Sequence, residues 1–169
     1  MSNCQYVILN DPFYNFTNGN ISCDLRTNDN DENGIIFRYD NSSAYPKFYV
    51  IWFTEDHPSP RNGPLPLEMP YFNWDTSADQ IQPSKVTVHF VEGDVNGFNW
   101  YKIAETDWTR NNNQWYTWRV TANDTDIDLY IDNFNTPFMS FTDSRTSFGY
   151  FGFISFENEY ANYDNLYVW

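Results

Sequence analysis

Apolar and polar residues alternate with a period of two along most of this chain, and this alternation limits what it can fold into more than any other feature. Residues 21–26 and 126–132 show it clearly, as expected for strands that are buried on one face. Residues 48–53 and 149–156 are apolar on both sides, which is typical of strands covered on both faces. No segment shows a helical period long enough for a helix. The sequence therefore predicts an all-β jelly-roll β-sandwich of about eleven or twelve antiparallel strands.

Composition and charge narrow the possible function classes. Aromatic residues make up 21% of the 169 residues, which favours strands, and the length suits a single domain spanning residues 1–169. The formal charge of −14 repels phosphate backbones and anionic lipids, so we expect no nucleic-acid partner. No apolar run approaches the roughly 18 residues of a membrane-spanning helix, so we also expect no membrane insertion.

The two cysteines, Cys4 and Cys23, are too few for a four-cysteine zinc site. Both lie in strand-like segments joined by a loop, so the sequence predicts a disulfide between them, with two unpaired buried thiols as the alternative. A disulfide is typical of secreted proteins, and four N-glycosylation sequons also indicate the secretory route: Asn15, Asn20, Asn41 and Asn123. We therefore expect an extracellular or cell-surface location, with this chain as part of a longer secreted protein.

The acidic segment DNDENGIIFRYD, residues 29–40, has more than one interpretation. Its residues match the calcium loop of an EF-hand, but an EF-hand needs a helix on each side, and here the flanks alternate with period two. A β-sandwich loop in which Asp29 and Asp31 bind Ca²⁺ through their hard oxygen atoms fits the flanks better. The alternative is a solvated acidic turn that binds no ion.

Catalytic motifs are sparse in this sequence. No HExxH, GxSxG or glycine-rich phosphate loop occurs. Glu157 and Glu159 would share one face of a strand at roughly 7 Å, which suits a glycosidase acid and base, but the same residues also suit a solvated turn. Asp126, Asp128 and Asp132 form an acidic stripe, for which a solvated outer face that discourages edge aggregation is the favoured interpretation. We therefore expect no enzyme.

Aromatic residues beside loops rich in Asn and Asp are the better indication of function. They are Trp74, Trp100, Trp108 and Trp115, with Tyr101 next to Trp100. An exposed indole flanked by amides and carboxylates is typical of sugar binding, because the ring covers the C–H face while Asn and Asp bind the hydroxyls. Trp100 and Trp108 lie at either end of the segment YKIAETD. The sequence therefore gives the hypothesis that their two rings form one platform for a glycan. The alternative is that these rings cap the ends of the core.

Several segments occur in a distinctive order: an acidic turn, GIIFRYDNSSAYPKFYVIWF, WYKIAETDW, WYTWRVTANDTDIDLYIDN and GYFGFISFENEYANYDNLYVW. From Asn28 to Trp169 this order resembles the C-terminal lectin-like domain of thrombospondins, most specifically in the first strand pair and the last two strands. The resemblance implies a concanavalin-A-like sandwich that binds calcium and acts in extracellular adhesion without catalysis. Such sandwiches often bind Ca²⁺ near the terminal strands, which makes Asp164 a second candidate ligand.

These features predict an extracellular, non-catalytic binding or adhesion module that depends on calcium. Its expected partner is a glycan or a glycoprotein. A glycan-active enzyme on the same sandwich, either a hydrolase or a lyase, is the alternative from a different class. A structural domain of an extracellular fibre or matrix is the third possibility.

Overall fold

The computed structural model describes residues 4–9, 15–27, 32–54, 64–65, 85–95, 97–156 and 161–169. These residues form twelve β-strands, and they contain no helix that could cross a membrane. In chain order the strands are β1 (Cys4–Leu9), β2 (Gly19–Arg26), β3 (Glu32–Asp40), β4 (Lys47–Thr54), β5 (Pro64–Leu65), β6 (Lys85–Asp94), β7 (Gly97–Asp107), β8 (Tyr116–Asn123), β9 (Asp126–Ile131), β10 (Met139–Thr142), β11 (Tyr150–Phe156) and β12 (Asn162–Val168).

The strands form two sheets that pack face to face. The larger sheet has seven strands in the order β1-β11-β3-β4-β6-β7-β5, and the smaller has five in the order β10-β9-β8-β2-β12. Every pairing is antiparallel. The Tyr163 hydroxyl on β12 donates a hydrogen bond to the Ile154 carbonyl oxygen on β11 at 2.7 Å, so these two strands lie opposite each other. The predicted antiparallel sandwich of about eleven or twelve strands is confirmed.

The main hydrophobic core lies between the two sheets. Along β8 every second residue is buried, so one face of this strand contributes to the core while the other points outward. The strand register places Trp118 of β8 between Cys23 on β2 and Ile131 on β9. All three side chains are buried. Burial of a large apolar side chain such as that of Ile131 stabilises the fold by about 1.5–3 kcal/mol.

A second apolar cluster lies on the outer face of the seven-stranded sheet. Its members come from β3, β4, β6, β7 and β11, and they are Ile36, Phe48, Val50, Trp52, Val91, Trp100 and Ile154. The rings of Trp52 and Trp100 stack with their centroids 5.4 Å apart. Trp52 Nε1 also donates to His89 Nδ1 at 3.1 Å. Because β4 contributes to both clusters, it is buried on both faces, as the continuous apolar segment predicted.

The predicted disulfide between Cys4 and Cys23 is wrong, because Cys23 is a free thiol in the main core. Cys4 lies on β1 of the seven-stranded sheet, whereas Cys23 lies on β2 inside the five-stranded sheet. The two strands are therefore not hydrogen-bonded neighbours, and the cross-strand bridge that the sequence predicts has no strand pairing to support it. Burial, with a smaller contribution from Asp24, raises the pKa of the Cys23 thiol to about 12. This thiol therefore stays protonated near neutral pH.

Some predicted residues lie outside the described part of the chain. They are the calcium candidates Asp29 and Asp31, the ligand candidate Trp74, and the acidic pair Glu157 and Glu159. What the sequence suggests for these five residues stays a prediction.

Candidate functional site

Two of the predicted binding rings are packed against other side chains. Trp100 is only 3% exposed, because it stacks on Trp52 in the outer cluster of the seven-stranded sheet. Trp108 packs against the main core, where its ring meets those of Tyr116 and Trp118 edge-on at centroid distances of 4.8 and 5.9 Å. The expected exposure of Trp100 is wrong, and the structure does not bring the two rings together as one platform.

Tyr101 is exposed, but its ring belongs to a network that closes one edge of the sandwich. The Arg145 guanidinium lies 4.4 Å from the Phe90 ring centroid and 5.6 Å from that of Tyr101. Arg145 also forms a hydrogen-bonded ion pair with Asp143, and the Tyr49 hydroxyl donates to the same carboxylate at 2.7 Å. We interpret Tyr101 as a part of this ion-pair network and not as a binding ring.

Trp115 and Asp164 lie together on another surface, the outer face of the five-stranded sheet, which we term the polar face. Strand alternation produces it, because the residues between the buried ones point away from the core. Its members are Asn20, Ser22, Asp24, Arg26, Thr117, Arg119, Thr121, Asp126, Asp128, Tyr130, Ser140, Thr142, Asp164 and Tyr167, with Trp115 just before β8 and Asp132 and Phe134 just after β9.

The centre of the polar face is a hydrogen-bonded group around Asp24. The register places Asp24 between Thr117 on β8 and Asp164 on β12. Thr117 Oγ1 donates to Asp24 Oδ1 at 2.6 Å, and Asn165 Nδ2 donates to Asp24 Oδ2 at 2.7 Å. Asn165 lies at an irregularity in β12 and has a φ of 50°, in the left-handed region. These bonds orient the Asp24 carboxylate, whose remaining lone pairs stay available to accept hydrogen bonds.

Asp164, the predicted calcium ligand, lies directly across from Asp24. Side chains paired in this way have Cβ atoms about 4.5–5.5 Å apart, so the two carboxylates repel each other. The Asn165 backbone N–H donates to Asp164 Oδ1 at 2.7 Å and offsets part of this repulsion. No group of three or more His, Cys, Asp or Glu within the described residues could hold a metal ion. Because Ca²⁺ takes about six to eight oxygen ligands, these two carboxylates alone do not fit a calcium site, and calcium binding stays a prediction.

Three more carboxylates line the β9 side of the polar face, where the predicted acidic stripe is found. Thr142 and Ser140 on β10 donate to Asp126 and Asp128 at 3.0 and 2.5 Å. Asp132 accepts a hydrogen bond from a backbone N–H of β8 at 2.8 Å. All three bonds come from neutral donors, and an ionised carboxylate has about four lone-pair sites. Each of these side chains can therefore accept further hydrogen bonds.

Two exposed aromatic rings flank the central group. Trp115 is 40% exposed and Tyr167 is 60% exposed. The Arg26 guanidinium lies 4.7 Å from the Trp115 ring centroid, so a cation–π contact helps to hold the indole in place. Tyr167 lies on β12 opposite Ser22 of β2, with its ring on the outer side of the sheet.

Arg119 is held between two other rings on the polar face. Its guanidinium lies 4.2 Å from the Tyr130 ring centroid and 4.4 Å from that of Phe134. Its Nη2 also donates to the Phe134 carbonyl oxygen at 3.0 Å. Arg119 therefore covers one face of each ring, as Arg26 does for Trp115, and Phe134 remains 40% exposed. Because this stack lies on the β8–β9 side of the sheet and not beside Asp24, we interpret it as a support for the sheet surface.

Trp115 and Tyr167 lie at the two ends of a diagonal across β8, β2 and β12. Tyr167 on β12 pairs with Ser22 on β2, which in turn pairs with Arg119 on β8, so Tyr167 is two strands away from Arg119. Arg119 is four residues along the chain from Trp115. At about 4.8 Å between strands and about 3.3 Å per residue, the two backbone positions are about 16 Å apart. The Asp24 group lies between them, so the diagonal carries a ring at each end and polar groups in the middle.

Sequence reasoning identified Trp115 and Asp164 but missed Asp24, Asn165 and Tyr167. The alternation along β2 does predict that Asp24 points outward. Its partner Asn165 is 141 residues away in the sequence, and nothing in the local pattern shows that β2 and β12 pair. Only the pairing of these strands identifies the group as one surface.

Solved structures with a similar fold are β-sandwich proteins. Carbohydrate binding module CBM66 from Bacillus subtilis matches with a TM-score of 0.62 and 16% identity, covering 96% of this chain and 80% of that chain. A tetrameric galectin from the sponge Cinachyrella matches with a TM-score of 0.57 and 10% identity, covering 99% of both chains. Galectin LEC-6 from Caenorhabditis elegans matches with a TM-score of 0.54 and 13% identity, covering 97% of this chain and 95% of that chain.

At these identities the likeness establishes the fold, which is a concanavalin-A-like jelly-roll sandwich. No protein-family model matches the chain, and the search of curated proteins found no match. The more specific resemblance to the thrombospondin C-terminal domain stays a prediction.

Proposed function

We propose that this chain is an extracellular, non-catalytic module that binds glycan through the polar face. The observation that carries the proposal is the pair of exposed rings, Trp115 and Tyr167, on either side of the hydrogen-bonded group around Asp24. Sugars combine an apolar C–H face with a rim of hydroxyl groups, so they bind surfaces that combine exposed rings with oriented polar side chains.

The central group is already oriented for such a ligand. Because Thr117 and Asn165 fix the two oxygens of Asp24, this carboxylate does not lose conformational freedom when a ligand arrives. An ionised carboxylate accepts hydrogen bonds from hydroxyl groups, and bonds of this charge-assisted kind are stronger than those between neutral partners. The proteins of similar fold named above as a carbohydrate binding module and as galectins support the same proposal.

The location and the calcium dependence are further parts of the proposal. Asn15, Asn41 and Asn123 lie in sequons and are exposed, which leaves them accessible to glycosylation on a secretory route. Calcium dependence rests on Asp29 and Asp31, which lie outside the described residues. A module that needs calcium should lose glycan binding in EDTA and recover it when Ca²⁺ is restored.

Screening on a glycan array, with and without Ca²⁺, tests the binding function. For each glycan that binds, we expect Trp115→Ala and Tyr167→Ala to weaken binding about two- to twelvefold, because an aromatic contact of this kind contributes about 0.5–1.5 kcal/mol. Tyr45→Ala and Phe148→Ala are matched controls, since these exposed rings lie away from the polar face. Equal losses in all four variants would place the binding site elsewhere.

A reducing-sugar assay tests the non-catalytic part of the proposal. The parent protein is incubated with each polysaccharide that it binds, and new reducing ends are measured over a day. We expect none above the level of a heat-denatured sample. Release of reducing ends by the parent protein, lost in Asp24→Asn, would instead identify a glycan hydrolase that uses the carboxylates of the polar face.

A further inference from the structure

We infer, building on the proposed function, that the ligand is an extended, uncharged oligosaccharide of about four sugar units that lies diagonally across β8, β2 and β12. The inference rests on the spacing of the two exposed rings and on the charge of the surface between them. This inference specifies the length and the charge class of the glycan, whereas the proposed function states only that a glycan binds.

The spacing determines the length. Trp115 and Tyr167 are about 16 Å apart by the strand register, and a pyranose ring spans about one interstrand distance, about 5 Å. A monosaccharide therefore covers one ring only, and a disaccharide does not reach the second. A chain of about four units contacts both rings at once, and the second contact is gained without a second loss of translational freedom.

The middle of the diagonal suits the inner units of such a chain. Thr117, Asp24 and Asn165 form a continuous hydrogen-bonded row across β8, β2 and β12. This row is polar and carries no large side chain that would interrupt a ligand lying over it. The inner sugars would present hydroxyl groups to these acceptors while the outer sugars cover the two rings.

The charge of the surface determines the second property. The polar face carries five carboxylates, Asp24, Asp126, Asp128, Asp132 and Asp164, against two guanidinium groups, Arg26 and Arg119. Both arginines are stacked on aromatic rings, and the whole chain has a formal charge of −14. A sulfate or uronate group on the diagonal would lie within about one Debye length, about 8–10 Å, of several carboxylates. The surface therefore disfavours anionic glycans and accepts hydrogen bonds from neutral ones.

Binding measured against chain length tests the first property. The probes are neutral cello-, xylo-, manno-, laminari-, malto- and inulo-oligosaccharides of one to six units, titrated by calorimetry. In the series that binds, we expect affinity to rise at least tenfold between two and four units and then to level off. Trp115→Ala and Tyr167→Ala should each abolish most of this rise, whereas Tyr45→Ala should preserve it. A monosaccharide that binds as tightly as the tetramer would overturn the inferred length.

Binding of charged probes tests the second property. We expect oligogalacturonates and heparin oligosaccharides of four units to bind at least tenfold more weakly than the neutral tetramer at 20 mM salt. Anionic probes that bind as tightly as the neutral tetramer would overturn the inferred charge class while leaving glycan binding intact. If no glycan of either panel binds, the proposed function fails together with the inference. Circular dichroism of each variant confirms that a loss of binding is not a loss of fold.

Discussion

Replacing Arg38 with methionine should destabilise the protein more than the loss of a basic side chain from an exposed ion pair. The Arg38 side chain is fully buried at one end of the sandwich. Its Nη2 donates to the carbonyl oxygens of Thr17 and Asp124 at 2.7 and 2.8 Å, and its Nη1 donates to that of Thr146 at 3.3 Å. One guanidinium therefore ties together three connecting segments that come from distant parts of the chain.

The size of the effect follows from these contacts. Each hydrogen bond from a charged donor contributes about 1.5–3 kcal/mol. The net cost of losing all three bonds is smaller than their sum. Two terms oppose the loss: burial lowers the pKa of Arg38, which marks a desolvation cost that methionine removes, and Thr17 and Asp124 are exposed enough to bind water instead. Thr146 is buried, and leaving its carbonyl without a donor costs about 1–3 kcal/mol. We expect a net loss of about 3 kcal/mol.

Thermal unfolding measures this loss. For a domain of this length, 1 kcal/mol shifts the melting temperature by about 2–4 °C, so Arg38→Met should lower it by about 6–12 °C. Lys47→Met is the control, because the side chains of Lys47 and its ion-pair partner Glu92 are 40% and 37% exposed and such a surface pair contributes about 1 kcal/mol or less. Hydrogen exchange at the backbone amides of Phe16 and Asp124 should speed up in Arg38→Met alone. A melting temperature within 2 °C of the parent, or equal shifts in both variants, would refute the role assigned to the buried guanidinium.

Three further predictions follow from individual side chains. Gly34→Ala should cost at least about 3 kcal/mol in urea unfolding, because the added Cβ would lie 2.2 Å from a backbone oxygen of β4, whereas Gly93→Ala, with its closest contact at 3.0 Å, should cost much less. In a Cys4→Ser variant, the buried Cys23 thiol, with its pKa raised to about 12, should not react with a thiol reagent at pH 8 until the protein unfolds, and rapid native labelling would contradict its burial. Burial, with a smaller effect of a nearby lysine, lowers the pKa of His89 from 6.5 to about 4. The neutral, buried imidazole therefore contributes its full stability above pH 6.5. This contribution, up to about 3 kcal/mol, is lost as the pH falls toward 4. Melting temperatures measured from pH 7 to 4 should fall less steeply in His89→Gln than in the parent, and parallel profiles would show that the histidine does not titrate in this way.

The alternation of apolar and polar residues was enough to predict the class of the fold and the direction of individual side chains. A strand has a side-chain period of two whatever its partners are, so the alternation along β8 and β9 identified which residues are buried and which point outward. The apolar segment of β4 likewise predicted a strand covered on both faces. These inferences need only the geometry of one strand and the cost of burying polar groups.

The identity of neighbouring strands, and with it the candidate site, could not be predicted in this way. Cys4 and Cys23 lie in strands joined by a loop, yet β1 and β2 belong to different sheets and do not pair, and Cys23 is a free thiol. The residue pattern of β7 does not show that the face carrying Trp100 is buried. Trp100 is buried because its ring stacks on Trp52, which lies on another strand. Strand pairing depends on contacts between residues far apart in the chain, and a period-two pattern is compatible with many pairings. For that physical reason Asp24 and Tyr167 become parts of one surface only when β2 pairs with both β8 and β12.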